Sequence, residues 1–247
     1  MDQIKAYLEE TKQILDTALD TQMEKMQEAA HMMSEAVITK HSIFTFGCSH
    51  ASLLALELYY RSGGLMVINP VRAAGLNLDI DPATMTSQME RLPEYGTLIA
   101  DNQPIKEGDV VIVHSVSGRN TVTVDFAMRC QEKGAKVIAL TNMNTAGTTT
   151  SRHPSGKHLH DAADLVIDNC GCFGDAAINV DGITEKVGPT STAVGAAILN
   201  AIMVQTVQNI LDAGEDAPVF MSANVDGGEE HNARMLEMYK DHIFYMN

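Results

Sequence analysis

The seven residues Ser115-Val116-Ser117-Gly118-Arg119-Asn120-Thr121 place three hydroxyls, a carboxamide and a glycine directly after the apolar run Val110-Val111-Ile112-Val113. Where a strand ends and a helix begins, the first helical turn presents unpaired N–H groups and about half a positive charge, so an anion is held there without a lysine. Ser115, Ser117, Thr121 and the Asn120 amide can donate to phosphate oxygens, and Gly118 permits close backbone approach. The same residue types also cap helices. A cap needs one or two of them, and this concentration favours a phosphate cradle. It is neither a mononucleotide P-loop, which ends in Gly-Lys-Ser/Thr, nor a dinucleotide fingerprint with three spaced glycines.

A second turn, Gly47-Cys48-Ser49-His50-Ala51-Ser52, follows the apolar run at 42–46, and a third, Thr190-Ser191-Thr192, follows Pro189 and precedes a long apolar stretch. The third could close over a ligand or merely cap a helix. Titratable groups gather at Glu229-Glu230-His231-Asn232, which could equally be a charged helix start. His153, Lys157, His158 and His160 form one local basic concentration, able to focus a phosphate or a carboxylate, or to be a solvated loop. His158 and His160 lack the i, i+4 spacing of a helical zinc pair, and Cys170-Gly171-Cys172 lacks a second pair of ligands, so neither metal nor cofactor is expected.

The elements that must position these residues are legible as periodicity. From Ile4 to Val37 small and apolar residues recur at helical spacing, a stripe able to pack on its own sheet or against another subunit; contact with a second subunit is the favoured reading. Short apolar runs at 42–46, 65–68, 110–113, 136–140 and 164–167 read as buried parallel strands, with helices at 51–61, 120–133 and 192–211. Gly134 suits the left-handed position after the second of these helices. The alternation gives a doubly wound α/β sheet, with 72–107 as an irregular elaboration over one edge.

Composition narrows the partners. With 17 Lys plus Arg against 32 Asp plus Glu, the formal charge is −15, so nucleic acid and anionic membrane are repelled and anionic ligands must be held locally. No leader-like start and no apolar run of about 20 residues is visible, which points to a cytoplasmic protein without a membrane span. Four scattered cysteines suit reduced thiols.

These turns together resemble the sugar isomerase, or SIS, domain, over about Ile43 to Leu211. The resemblance is carried by Gly47 to Ser52, by Ser115 to Thr121 before a helix, by Val137-Ile138-Ala139-Leu140-Thr141, and by Thr190-Ser191-Thr192 with its Asn200-bearing helix. Residues 151–157 and 224–232 look like those of bacterial stand-alone SIS proteins. The first turn departs from the pattern at His50, where many members keep a small residue.

The resemblance implies a five-stranded flavodoxin-like parallel sheet. It implies an organisation of a long N-terminal helix at 1–40 as an oligomer contact, an SIS domain at 41–215 with 72–107 inserted, and a C-terminal segment at 216–247 contributing to the site. It further implies a sugar-phosphate ligand and a homo-oligomer, dimer or tetramer. Phosphate would sit on Ser115, Ser117, Gly118, Asn120 and Thr121. Sugar hydroxyls would meet Gly47, Ser49, His50, Ser52, Thr190, Ser191 and Thr192. The implied chemistry is aldose–ketose isomerisation or β-elimination, with Glu57 as base and His231, accompanied by Glu230, as ring-opening acid. A phosphosugar sensor acting on a protein partner is the other implied class.

Overall fold

The computed structural model describes residues 2–246. Helix α1 (Gln3–Ile38) is capped by Asp2, whose carboxylate accepts the Ile4 N–H. The chain continues through β1 (Ile43–Gly47), a 3-10 turn (Ser49–Ala51), α2 (Ser52–Glu57), β2 (Ile68–Pro70), α3 (Met85–Met89), α4 (Tyr95–Asp101) and β3 (Val110–His114). Then follow α5 (Thr121–Glu132), β4 (Lys136–Thr141), α6 (Met143–Ala146), a 3-10 turn (Leu159–Ala162) and β5 (Leu165–Asp168). A small antiparallel pair, β6 (Ala176–Ile178) and β7 (Val187–Pro189), precedes α7 (Ser191–Asp212) and α8 (Gly228–Tyr239).

The five strands β1 to β5 form one parallel sheet in the order β2-β1-β3-β4-β5, the flavodoxin-like order that the resemblance implied. Alternate side chains divide the core. Ile43, Ile112, Ile138, Leu140 and Ile167 pack toward α1, α2 and α7, whereas Phe44, Phe46, Val111, Val113 and Val137 pack toward α4 and α5. Gly134 takes the left-handed conformation (φ 84°) just past α5, as expected of that position.

Three placements sharpen the sequence reading. Helix α1 buries Ile14, Ala18, Ala29, Ala30, Met33 and Val37 along α7 and β5, so most of its stripe covers this chain's own sheet, while Ile4 and Leu8 at its start remain exposed. Residues 72–107 hold α3 and α4 and form the crossover from edge strand β2 back to β3. There Gly96 brings α4 so close to α5 that a Cβ would lie 2.1 Å from the Val122 carbonyl oxygen. Among the described residues one helix, α7, is long and apolar enough to cross a membrane, which the search for apolar runs missed because Thr, Asn and Gln interrupt an uncharged stretch. Its residues Val194, Ile198, Leu199, Ile202 and Ile210 are buried in the core.

Candidate functional site

The crossover through α2 leaves β1 on one face of the sheet, and the crossover through α5 leaves β3 on the other. Between them lies the switch point of the sheet at its carboxyl edge, where Gly47 and His114 are register neighbours. Both sequence-predicted turns line it.

The first turn is closed by a backbone approach that only glycine allows: a Cβ on Gly47 would lie 2.4 Å from the Ala51 carbonyl oxygen. Ser49 adopts a left-handed conformation (φ 52°), donates its N–H to Leu76 O (2.7 Å) and its hydroxyl to Glu90 Oε1 (2.5 Å). Ser52 donates back to Ser49 O at 2.7 Å, and His50 is exposed.

In the second turn the Ser115 hydroxyl accepts the Gly118 N–H (3.2 Å), which leaves its own proton free to donate. Gly118 is left-handed (φ 60°) and lies against Leu159, whose N–H it accepts at 2.8 Å. The Ser117 hydroxyl makes no bond to the rest of the protein among the described residues. Thr121 is buried and donates to Arg152 O (3.2 Å), a bond that ties the turn to the segment at 152. Asn120 stands at the N-cap of α5, yet its side chain does not cap the helix. Its amide instead donates to Glu90 Oε2 (2.5 Å), and its carbonyl oxygen accepts from Arg152 (2.7 Å).

Glu90, immediately after α3, therefore connects the two turns, and its backbone carbonyl also accepts the Val122 N–H of α5 at 3.1 Å. Arg152 lies within reach of the charges of Glu90, Arg91 and Arg119. Arg152 donates its backbone N–H to Arg119 O (2.9 Å), and the Arg119 side chain donates to Thr150 Oγ1 (3.2 Å). Burial first, then the charges of Arg119 and Arg91, pull the Arg152 pKa below the usual guanidinium range, against the pull of Glu90. Under this group the Cys48 thiol is pushed up, first by burial and then by the Glu90 charge, so it stays protonated.

His114, the last residue of β3, is buried and places Nδ1 3.4 Å from Ala51 O, while its Nε2 has no partner among the described residues. Burial pulls its pKa down to about 4, although the Ala51 contact and the Asp175 charge oppose this, so the ring is neutral at pH 7. Asp175 caps α7: its carboxylate accepts the N–H groups of Thr190 (3.1 Å) and Ser191 (2.8 Å) and the Ser191 hydroxyl (2.7 Å). The third turn is thus held by a carboxylate of this chain. Thr190 Oγ1 is buried there without a partner among the described residues, and Thr192 is half-buried.

Other sequence candidates lie elsewhere. Glu57 ends α2, five residues or about 7.5 Å of helix rise below Ser52, pairs with Arg61, and accepts from Asn200 (3.2 Å). His231 Nε2 lies 2.9 Å from Val219 O, and Val219 bridges Leu65. With Lys40 over the Tyr239 ring (4.5 Å), this sets α8, and Glu230 with it, at the amino edge of the sheet, opposite the two turns. His153 is fixed between Asp125 (2.7 Å) and Ser155 (2.6 Å). His158 and His160, set apart by the helical-spacing argument, stack at 5.2 Å in the 3-10 turn; with Asp161 their ligand-type atoms lie within 4.8 Å of one another, and His158 and Asp161 close a capping box. Glu90, Arg91 and Arg152 escaped sequence reasoning because they come from distant segments. Arg119 lies within the recognised turn and His114 directly precedes it, and neither was assigned a role.

Comparison with known proteins agrees with this architecture. The family model for the SIS domain matches residues 6–142. A UPF0309 protein of Shouchella clausii is 42% identical over 246 residues, covering 100% of both chains, and one of Oceanobacillus iheyensis is equally similar, at 42% over 246 residues and 100% of both. Among solved structures, a phosphoheptose isomerase from Francisella tularensis aligns with TM-score 0.52 at 17% identity, over 84% of this chain and 97% of that one. A protein of Escherichia coli CFT073, solved in complex with a sugar phosphate, aligns with TM-score 0.51 at 13% identity, over 83% and 88%. The chain belongs to the SIS-domain family, among its UPF0309 proteins.

Proposed function

We propose that this protein binds a phosphosugar with the phosphate on Ser115, Ser117, Gly118 and Asn120, and that the Glu90 carboxylate transfers the proton in an aldose–ketose isomerisation or an elimination. The observation that carries the reading is the amide of Asn120, which leaves its helix uncapped and instead meets the oxygen of an anionic group. Ser49 does the same from the opposite turn. A crevice whose polar side chains already converge on a carboxylate has the donors a phosphate needs. The names of the two solved structures, a phosphoheptose isomerase and a complex with a sugar phosphate, support the same ligand class.

Glu90 replaces Glu57 as base in this reading, because Glu57 is engaged by Arg61 and Asn200 away from the turns. Participation of His231 requires a neighbouring subunit to carry it to the carboxyl edge. The test is a panel of sugar phosphates, screened first for thermal stabilisation and then followed by proton NMR in deuterated water. An enzyme exchanges or converts the proton beside the carbonyl, a sensor only gains stability, and no response to any sugar phosphate overturns the reading.

A further inference from the structure

We propose that Arg91, Arg119 and Arg152 form a second anion subsite beside the phosphate turn, so that the ligand is a phosphosugar carrying a further carboxylate or phosphate. The inference rests on the turn being the phosphate site. In a chain of net charge −15, arginines find carboxylates readily: Arg61 pairs with Glu57, Arg129 with Asp101 and Glu132, and Arg234 with Asp216. Arg91, Arg119 and Arg152 form no ion pair among the described residues, although they are gathered around one point.

The gathering is built by the fold. Arg119 and Arg152 are tied by a backbone hydrogen bond of 2.9 Å, Arg152 leans on Asn120 at 2.7 Å, and Arg91 adjoins Glu90, whose carboxylate holds the same Asn120. Arg152 lies within reach of the positive charges of Arg119 and Arg91 and of the negative charge of Glu90. Like charges brought near one another repel, and an anion set between them relieves that repulsion. Arg119 Nε is moreover buried without a partner among the described residues, a donor stripped of water for which the protein supplies no acceptor. The side chains of Arg119 and Arg152 otherwise meet only neutral groups, Thr150 and Asn120, which leaves their planar donor forks free for the paired oxygens of a carboxylate or phosphate. Asn120 belongs to both groups, so the two anion positions are separated by a single side chain, a span that one sugar can bridge.

The test measures, by calorimetry, sugar monophosphates against matched ligands bearing a second anion: a 6-phosphogluconate-type acid and a hexose bisphosphate. The two-anion ligands are expected to bind at least about ten-fold more tightly than their single-anion counterparts. Arg152→Gln and Arg91→Gln are expected to abolish most of that advantage while leaving monophosphate affinity within about two-fold, with melting temperatures confirming that both variants fold. Equal affinity for one-anion and two-anion ligands overturns the subsite and leaves the turn reading standing. Ligand binding that is insensitive to Ser117→Ala yet lost in both arginine variants overturns the turn reading instead. Loss of all binding in the arginine variants, monophosphates included, overturns the separation into two subsites.

Discussion

Glu90 and Asn120 meet at 2.5 Å, the Asn120 amide N–H donating to a carboxylate from the crossover while its carbonyl oxygen, the atom a helix start would use as a cap, accepts from Arg152. In the proposed reaction the contact makes Glu90 both the proton-transferring group and a competitor for the phosphate donors. Glu90→Gln is therefore expected to raise phosphosugar affinity several-fold, because a neutral amide no longer repels the phosphate, and to lower turnover by roughly a hundred-fold or more, as removal of a general base does. Kd from calorimetry and kcat from NMR progress curves separate the two effects. Turnover that survives removes Glu90 from proton transfer.

Ser117 carries a hydroxyl with no bond to the described residues, whereas the nearby Asn120 and Thr121 side chains are committed. Ser117→Ala should weaken phosphosugar binding about ten-fold, near 1.4 kcal/mol, with melting temperature unchanged. Thr121→Val should behave oppositely, lowering stability through its lost bond to Arg152 O more than it lowers affinity. Equal effects of the two variants on affinity would show that the division of roles is mistaken.

His114 gives stability a pH dependence of defined sign. Its folded-state pKa lies near 4 against 6.5 for an ordinary histidine, so between those values the unfolded chain binds the proton and the folded chain does not. The contribution is complete above pH 6.5 and is lost progressively as pH falls toward 4, by an amount of order 3 kcal/mol. Denaturant unfolding from neutral pH down to the acid end of that window measures the slope. His114→Asn should flatten it, and an unchanged slope would assign the effect to other groups.

The contact of α4 with α5 depends on Gly96, where a Cβ would meet Val122 O at 2.1 Å and Phe126 N at 2.6 Å. Gly96→Ala must push the helices apart, at a cost of about 1–3 kcal/mol and a melting temperature lower by roughly 3–10 °C. Because α4 follows Glu90 by a few residues, ligand affinity should fall in the same variant.

Much of the fold is readable because β3, β4 and β5 are short apolar runs of Val, Ile and Leu, with Ala139 in β4, and because α5 begins at the hydroxyl-rich turn. The edge strand expected at 65–68 is Ile68–Pro70: Leu65-Met66-Val67 is as buried as a strand, but Leu65 bridges Val219, Met66 donates to Pro218 O, and the Val67 carbonyl accepts the Ile43 N–H of β1 at 3.3 Å. Half of the candidate site was invisible for a physical reason. Glu90 follows a helix of five residues, too short to show a period, and its charge acquires meaning only when the crossover folds back over β1 and lays it against Ser49 and Asn120. His231 shows the converse within this chain. Its local cluster of Glu, His and Asn looked like a site, whereas Val219 O and the packing of Tyr239 hold α8 at the other edge.

Ser49 holds the crossover twice, its amide on Leu76 and its hydroxyl on Glu90. One residue thus clasps both ends of the span 76–90, and neither end can loosen without disturbing the other. Amide protons from Leu76 to Glu90 should consequently exchange with solvent as one unit, at a common opening free energy that is lower than that of the central strands. A ligand that displaces the Glu90 carboxylate would release one end of that clasp, and faster exchange of the span on binding would record how the crevice admits what it holds.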